Sequence, residues 1–132
     1  MKEKTKKIRL AKKWIDALRS GKYKQGRGQL VKGDRYCCLG VLCDVAKQEF
    51  GLEMLEDGVK EDIQKYSEYV PANLKHYLLL DAEIISSYET FQNKLIIMND
   101  GNGNNDNKNK KSFKTIAQFL EDNLLPLLEQ ED

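Results

Sequence analysis

The stretch Tyr36-Cys-Cys-Leu-Gly-Val-Leu-Cys43 begins an apolar segment that predicts a buried helix. Apolar residues recur through it at the three- and four-residue spacing of a helix with one face in the core. We expect this helix to run from Arg35 to about Phe50, with Asp34 as its N-cap and Gly51 at its end, because aspartate caps first turns and glycine stops helices. The predicted buried stripe consists of Cys38, Leu39, Leu42, Val45 and Ala46.

Helical periodicity also appears on both sides of this segment. Before it, the apolar residues from Ile8 to Leu18 predict a first helix. After it, further helices are predicted beyond Val70-Pro71, between Tyr88 and Met98, and after Ser112, whose hydroxyl can cap the last helix.

The linking segments are polar, and they complete the predicted fold. The glycine-rich stretch from Gly21 predicts a loop with a short extended piece near Leu30. Residues 99–111, rich in Asn, Gly and Lys, predict an exposed loop. The expected fold class is therefore mainly α with a small β element, with α+β as the open variant. It is a single compact domain of about five helices over residues 1–132.

Composition bounds the class of protein. A chain of 132 residues with 40% hydrophobic and 33% charged residues is typical of one globular domain. No apolar stretch approaches the ~20 residues that span a bilayer, so we expect no membrane association. No apolar run follows the basic N-terminus, and the adjacent Cys37 and Cys38 suit reduced thiols better than a disulfide framework. We therefore expect a cytoplasmic protein.

Neither a metal nor a cofactor is predicted. The sequence from Asp100 to Asp106 places oxygen side chains at alternate positions, as a calcium loop does, but Asn105 and Lys111 stand where that loop needs glycine and glutamate. Adjacent cysteines cannot easily share one zinc ion, and His76 is the single histidine of the chain.

Charge is distributed unevenly along the chain. Residues 1–36 hold 13 of the 22 Lys and Arg and three acids, which is a net +10, so the remainder carries −9. A basic end attracts anionic partners, although the two halves can also neutralise each other in the fold.

The loop that follows the first helix is the main candidate binding site. Cations, an aromatic ring and amides alternate there with glycines that allow close backbone approach. This mixture suits a phosphate-bearing ligand with a flat base, because arginine pairs with phosphate and tyrosine stacks on the ring. A solvated basic turn is the structural alternative. The candidate ligand-binding residues are Lys22, Tyr23, Lys24, Gln25, Arg27, Gln29 and Arg35.

A cysteine hydrolase is the catalytic alternative. Cys37 and Cys38 fall in the first turn of the predicted second helix, where unpaired N–H groups stabilise a thiolate. His76 would be the base of such a dyad. Buried structural cysteines are the opposing interpretation, because cysteine is among the most buried residue types.

The pattern of the first 43 residues resembles that of a known family. Trp14-x-x-Ala17-Leu18-x-Ser20-Gly21-x-Tyr23-x-Gln25-x-x-Gly28-x-Leu30, followed by the Cys-Cys-Leu-Gly-Val-Leu-Cys string, is similar to small uncharacterised proteins found largely in bacteriophage genomes. Val70-Pro71, Asn99-Asp100 and Ser112-Phe113 continue the likeness. The resemblance implies a protein that acts in the cytoplasm of an infected bacterium, often in counter-defence, but it implies no particular activity.

These observations favour a binding protein over an enzyme. The first hypothesis is that the basic loop holds a nucleotide-like anionic ligand or signal and sequesters it from a host defence. The second is a protein–protein inhibitor of a host factor that uses the basic first helix against an acidic or nucleic-acid-like surface, and the third is the cysteine hydrolase. Nucleic acid is a less favoured partner, because the net charge is only +1. A homo-oligomeric state is a further alternative.

Overall fold

The described part of the chain comprises residues 2–51, 70–84, 89–101 and 110–130 of a computed structural model. Five helices and three short strands occur there, which confirms a mainly helical fold with a small β element. In chain order they are α1 (Lys2–Arg19), β1 (Lys24–Gln25), β2 (Val31–Lys32), β3 (Arg35–Tyr36), α2 (Cys38–Phe50), α3 (Ala72–Tyr77), α4 (Phe91–Asp100) and α5 (Phe113–Gln130).

The core forms where α1 packs against α5 and α2. Trp14 is fully buried, and its indole Nε1 donates a 2.9 Å hydrogen bond to the carbonyl oxygen of Cys38 at the start of α2. Burial of the ring stabilises the fold, and the bond satisfies the one polar atom that the ring takes out of water. The apolar stripe of α2 lies in this core: Cys38, Leu39, Leu42, Val45 and Ala46 are all buried.

A three-stranded sheet of order β1-β3-β2 occupies the predicted loop after α1. The central strand β3 pairs in parallel with β1 and antiparallel with β2. The expectation of a short extended piece is confirmed, but its extent was underestimated, because residues 35 and 36 join the sheet instead of the helix.

The start of α2 differs from the prediction for this reason. Asp34 is not the N-cap: it is exposed and lies in the turn between β2 and β3. Cys37 is the N-cap instead, and its Sγ accepts a 3.4 Å hydrogen bond from the backbone N–H of Gly40. The helix begins at Cys38 because the backbone of residues 35–36 is already engaged in strand pairing.

Gly40 allows α2 to approach the chain that leads into β2. A Cβ built on Gly40 would lie 1.9 Å from the carbonyl oxygen of Leu30, and that same oxygen accepts a 3.0 Å hydrogen bond from the N–H of Cys37. A side chain at position 40 would therefore separate α2 from the sheet.

Helix α4 is capped at both ends, by Thr90 and Gly101, and α5 is capped at its start. The Oγ of Ser112 accepts a 3.2 Å hydrogen bond from the N–H of Thr115, which confirms Ser112 as the cap of α5. The predicted loop of residues 99–111 is wrong at its start, because Asn99 and Asp100 are the last residues of α4 and Asn99 is buried. Residues 102–109 lie outside the described part.

Candidate functional site

A cleft of about 360 Å³ lies between α1, the turn that follows it, and the second half of α2. We call it the α1–α2 cleft. Its volume falls in the range of about 300–1,000 Å³ that is typical of small-molecule sites. The residues that line it are Lys13, Asp16, Ala17, Ser20, Lys22, Tyr23, Val45, Gln48 and Glu49.

Helical spacing explains why these residues share one cleft. Lys13, Asp16 and Ala17 are three and one residues apart, so they lie on one face at the C-terminal end of α1, and Ser20 directly follows the helix on the same side. Val45, Gln48 and Glu49 do the same on α2. Ala17 and Val45 contribute apolar surface, and the other lining side chains contribute polar groups.

The turn after α1 brings Lys22 and Tyr23 to the cleft. The Oγ of Ser20 donates to the carbonyl oxygen of Ala17 at 2.7 Å and accepts from the N–H of Lys22 at 3.1 Å. Gly21 takes the left-handed conformation that this reversal requires, with φ +80°. The helix end and the first residues of the loop are thereby held together.

Tyr23 is held firmly within the cleft wall. Its hydroxyl donates a 2.5 Å hydrogen bond to Oδ2 of Asp44, which also accepts from Nε2 of Gln48 at 2.9 Å. Its ring meets that of Tyr36 edge to face, with centroids 5.0 Å apart. Burial, and then the bond to Asp44, raise the pKa of Tyr23, so the phenol remains a donor at neutral pH.

The charged groups of the cleft differ in how they are partnered. Glu49 accepts from Lys13 at 2.7 Å and from Arg9 at 2.8 Å, and the hydrogen bond from Lys13 is the main cause of its lowered pKa. The side chains of Lys22 and Asp16 form no ion pair within the described residues. Among the described residues, the cleft thus offers the Lys22 ammonium and the Asp16 carboxylate without a direct ion pair.

The other candidate residues of the basic loop lie outside this cleft. Lys24 pairs with Asp34 at 3.0 Å on the exposed side of the sheet, and Nη1 of Arg35 donates to the carbonyl oxygen of Gln25 at 3.2 Å. Arg27 and Gln29 are exposed. The structure thus brings Lys22 and Tyr23 together and separates them from the remaining five positions.

The Gln25 side chain contacts a buried asparagine, Asn99, which the sequence did not indicate as important. Its Nε2 donates to Oδ1 of Asn99 at 3.0 Å and to the carbonyl oxygen of Lys111 at 2.8 Å. Oδ1 of Asn99 also accepts from the N–H of Cys38 at 3.1 Å, and its Nδ2 donates to the carbonyl oxygen of Gly26 at 2.8 Å. Asn99 therefore connects α4 to α2 and to β1, and the Gln25 side chain is one of its hydrogen-bond partners in this junction.

The two adjacent cysteines are buried, with exposures of 5% for Cys37 and 0% for Cys38. Burial raises the pKa of the Cys38 thiol, which is the opposite of the shift that a nucleophile needs. His76 is exposed on α3, with Nδ1 3.2 Å from Oδ2 of Asp81. No hydrogen bond joins His76 to either cysteine among the residues described.

The described residues contain neither a candidate metal-binding cluster nor a helix that could span a membrane. Within residues 2–51, 70–84, 89–101 and 110–130, no cluster of three His, Cys, Asp or Glu residues could hold a metal ion. Of the described helices, none combines the length and the apolar character needed to cross a bilayer. Most of the calcium-like segment from Asp100 to Asp106 lies outside the described residues.

Sequence reasoning missed Lys13, Asp16 and Gln48 as cleft residues. Their spacing on α1 and α2 was a usable signal for a shared face on each helix, but nothing in the linear pattern indicated that the two faces meet. The sequence predicts a loop at Asn99, because this residue begins a run of Asn, Asp and Gly.

Comparison with known proteins gives one match. Residues 5–124 match a family described as Domain of unknown function (DUF8296). No curated protein and no solved structure matches the chain.

Proposed function

This chain belongs to the DUF8296 family, a domain of unknown function, and we propose that it binds a small nucleotide-like anion in the α1–α2 cleft. One observation carries the proposal: Tyr23, Lys22 and Asp16, which supply a ring, a cation and a carboxylate, line the same 360 Å³ cleft. Ring, cation and acceptor are the groups that a base, a phosphate and a ribose or amino group require.

Phosphate recognition falls to Lys22. Its ammonium has no ion pair within the described residues, so binding a phosphate would not require it to leave another partner. Lys13 lies in the same cleft but pairs with Glu49 at 2.7 Å, so binding a phosphate through Lys13 would compete with that ion pair. Lys22 is therefore the cation whose removal weakens binding most.

Base recognition falls to Tyr23. The bond to Asp44 and the edge-to-face contact with Tyr36 fix the ring before any ligand arrives, so little conformational entropy is lost on stacking. Asp16 can accept a hydrogen bond from a ribose hydroxyl or an exocyclic amine, and the Gln48 amide can pair with a base edge.

Binding without chemistry suits sequestration of a signal nucleotide. Cys37 and Cys38 are buried, and burial raises the pKa of the Cys38 thiol, which disfavours the thiolate that a nucleophile needs. In a phage protein acting in the host cytoplasm, which is the setting the sequence resemblance implies, sequestration would serve counter-defence.

Native mass spectrometry of the protein purified from its bacterial host is the first test. A nucleotide-like mass that leaves on denaturation would support the proposal and identify the ligand class. A co-purifying host protein that dissociates at high salt would instead favour the inhibitor hypothesis.

Isothermal titration calorimetry with adenosine 5′-monophosphate, adenosine and inorganic phosphate provides the second test. We expect the monophosphate to bind more tightly than either part. Lys22→Gln should weaken its binding about tenfold, the effect of one charge-assisted hydrogen bond at an exposed site. Tyr23→Leu should weaken it by a similar factor, because base stacking contributes about 1–3 kcal/mol.

Lys24→Gln is the matched control, since Lys24 lies two residues away, carries the same charge and does not line the cleft. Equal loss of affinity in Lys22→Gln and Lys24→Gln would contradict the cleft assignment, because it would show dependence on overall charge. Unchanged binding in Tyr23→Leu would contradict the stacking role.

A further inference from the structure

The exposed face of the sheet carries a row of three cations, one on each strand. Lys24 on β1 is the register partner of Arg35 on β3, and Arg35 is the partner of Lys32 on β2. Directly paired residues project from the same face of a sheet, and neighbouring strands lie about 4.8 Å apart, so the row extends over about 10 Å. We call this row the cationic strip.

The cationic strip places like charges opposite one another, and one carboxylate, that of Asp34, lies beside it. Like charges directly opposite each other across strands repel. Asp34 pairs with Lys24, but Lys32 and Arg35 form no ion pair within the described residues. Arg27 adds a further exposed cation on the connection between β1 and β2.

The same face lacks the groups on which protein partners depend. The alternate strand positions hold Val31, which is buried, and Gln25 and Tyr36, which are half-buried and lie towards the core side. The outward positions of the three strands are therefore cationic, whereas protein–protein interfaces concentrate their binding energy in apolar and aromatic centres.

We infer that the cationic strip contacts the phosphate backbone of double-stranded nucleic acid, without sequence preference. A duplex backbone presents evenly spaced negative charges that a straight row of cations can neutralise, and it requires no apolar contact. No aromatic residue occupies an outward strand position, which disfavours the base stacking that single strands require. The near-neutral net charge of the chain conceals this strip, because Asp34 is the one acid within residues 17–43 and most of the compensating acids lie later in the sequence.

Fluorescence anisotropy with a labelled 20-base-pair duplex tests the inference through its salt dependence. Each phosphate neutralised contributes about −0.9 to the slope of log K against log [NaCl]. Two cations without ion pairs, and Lys24 if it leaves Asp34, predict a slope between about −1.8 and −2.7. A fourfold rise in NaCl from a low-salt start should weaken binding about 12- to 40-fold.

The triple variant Lys24→Gln, Lys32→Gln, Arg35→Gln should lose this binding, and Lys32→Gln alone should reduce the magnitude of the slope by about 0.9. The charge-matched control replaces three cations that are exposed on helices, Lys12, Lys47 and Lys114, by Gln. It should bind as the unaltered protein does. Circular dichroism checks that each variant is folded.

Three outcomes would overturn the inference. They are failure of the duplex to bind at low salt, equal loss of binding in the two triple variants, and a slope that Lys32→Gln leaves unchanged. Polyglutamate is the competing probe: if it binds at least as tightly as the duplex and depends on the same three residues, the partner is an acidic protein. Nucleotide binding in the cleft should survive the strip substitutions, so the two proposals can fail separately.

Discussion

Replacement of Asn99 by alanine should destabilise the protein far more than replacement of the exposed Asn93 on the same helix. Asn99 is 1% exposed and makes four side-chain hydrogen bonds: two are accepted by Oδ1 from Cys38 and Gln25, and two are donated by Nδ2 to Gly26 and Asp100. Alanine removes all four at once and leaves a small cavity.

The magnitude follows from which partners can reach water. The N–H of Cys38 and the carbonyl of Gly26 belong to buried residues, and each unsatisfied buried group costs about 1–3 kcal/mol. Gln25 and Asp100 are half-buried and can exchange their lost bond for water. The expected loss is therefore about 2–6 kcal/mol, a large part of the 5–15 kcal/mol typical of a whole domain.

Guanidinium unfolding followed by fluorescence measures this loss directly. Trp14 is the one tryptophan of the chain, and its indole donates to the carbonyl of Cys38, so its emission reports on the start of α2. Asn93→Ala is the control: Asn93 lies on the same helix but is exposed, and its replacement should change the free energy of unfolding by less than about 0.5 kcal/mol. A difference below about 1 kcal/mol between the two variants would refute the assignment of Asn99 as the junction.

Two further substitutions or treatments probe the start of α2. Gly40→Ala should destabilise the protein by about 1–3 kcal/mol or more, because its Cβ would lie 1.9 Å from a backbone oxygen that cannot move away without breaking the bond to Cys37. Thermal unfolding of this variant beside Lys47→Ala, an exposed change on the same helix, gives the comparison, and equal melting temperatures would contradict the close approach. Iodoacetamide should leave Cys37, Cys38 and Cys43 largely unmodified in the folded protein at pH 8, since all three are buried and burial raises the pKa of Cys38 and Cys43, so that less reactive thiolate is present. Mass spectrometry should find all three alkylated only after unfolding; rapid alkylation of Cys37 or Cys38 in the folded protein would revive the hydrolase alternative.

Local periodicity was sufficient to predict the helices. The apolar spacing around Trp14, within the segment after Cys37 and after Ser112 predicts α1, α2 and α5. Side chains three and four residues apart lie on the same face of a helix, so their spacing shows which face is buried. The capping role of Ser112 is equally local, since hydroxyl and acceptor lie three residues apart.

Helix boundaries that depend on contacts with residues distant in the sequence were predicted less well. Asp34 has the chemistry of an N-cap, but residues 35–36 gain strand partners on both sides, and α2 therefore starts later. Asn99 looks like part of a polar loop in its own neighbourhood. Its burial depends on Gly26, 73 positions earlier, and on Cys38, 61 positions earlier.

The candidate site also depends partly on local sequence and partly on tertiary packing. Sequence composition drew attention to the loop after α1, because cations, glycines and an aromatic residue occur there together. Strand alternation and the packing of α1 against α2 determine which of these residues share a surface. Lys22 and Tyr23 lie in the cleft, and Lys24 and Arg35 lie in the cationic strip. The Gln25 side chain contacts Asn99. A sequence pattern specifies which face of its own element a residue occupies. The face of another element against which that residue packs is determined by the burial of apolar area between elements that are distant in the chain, and no local pattern contains that information.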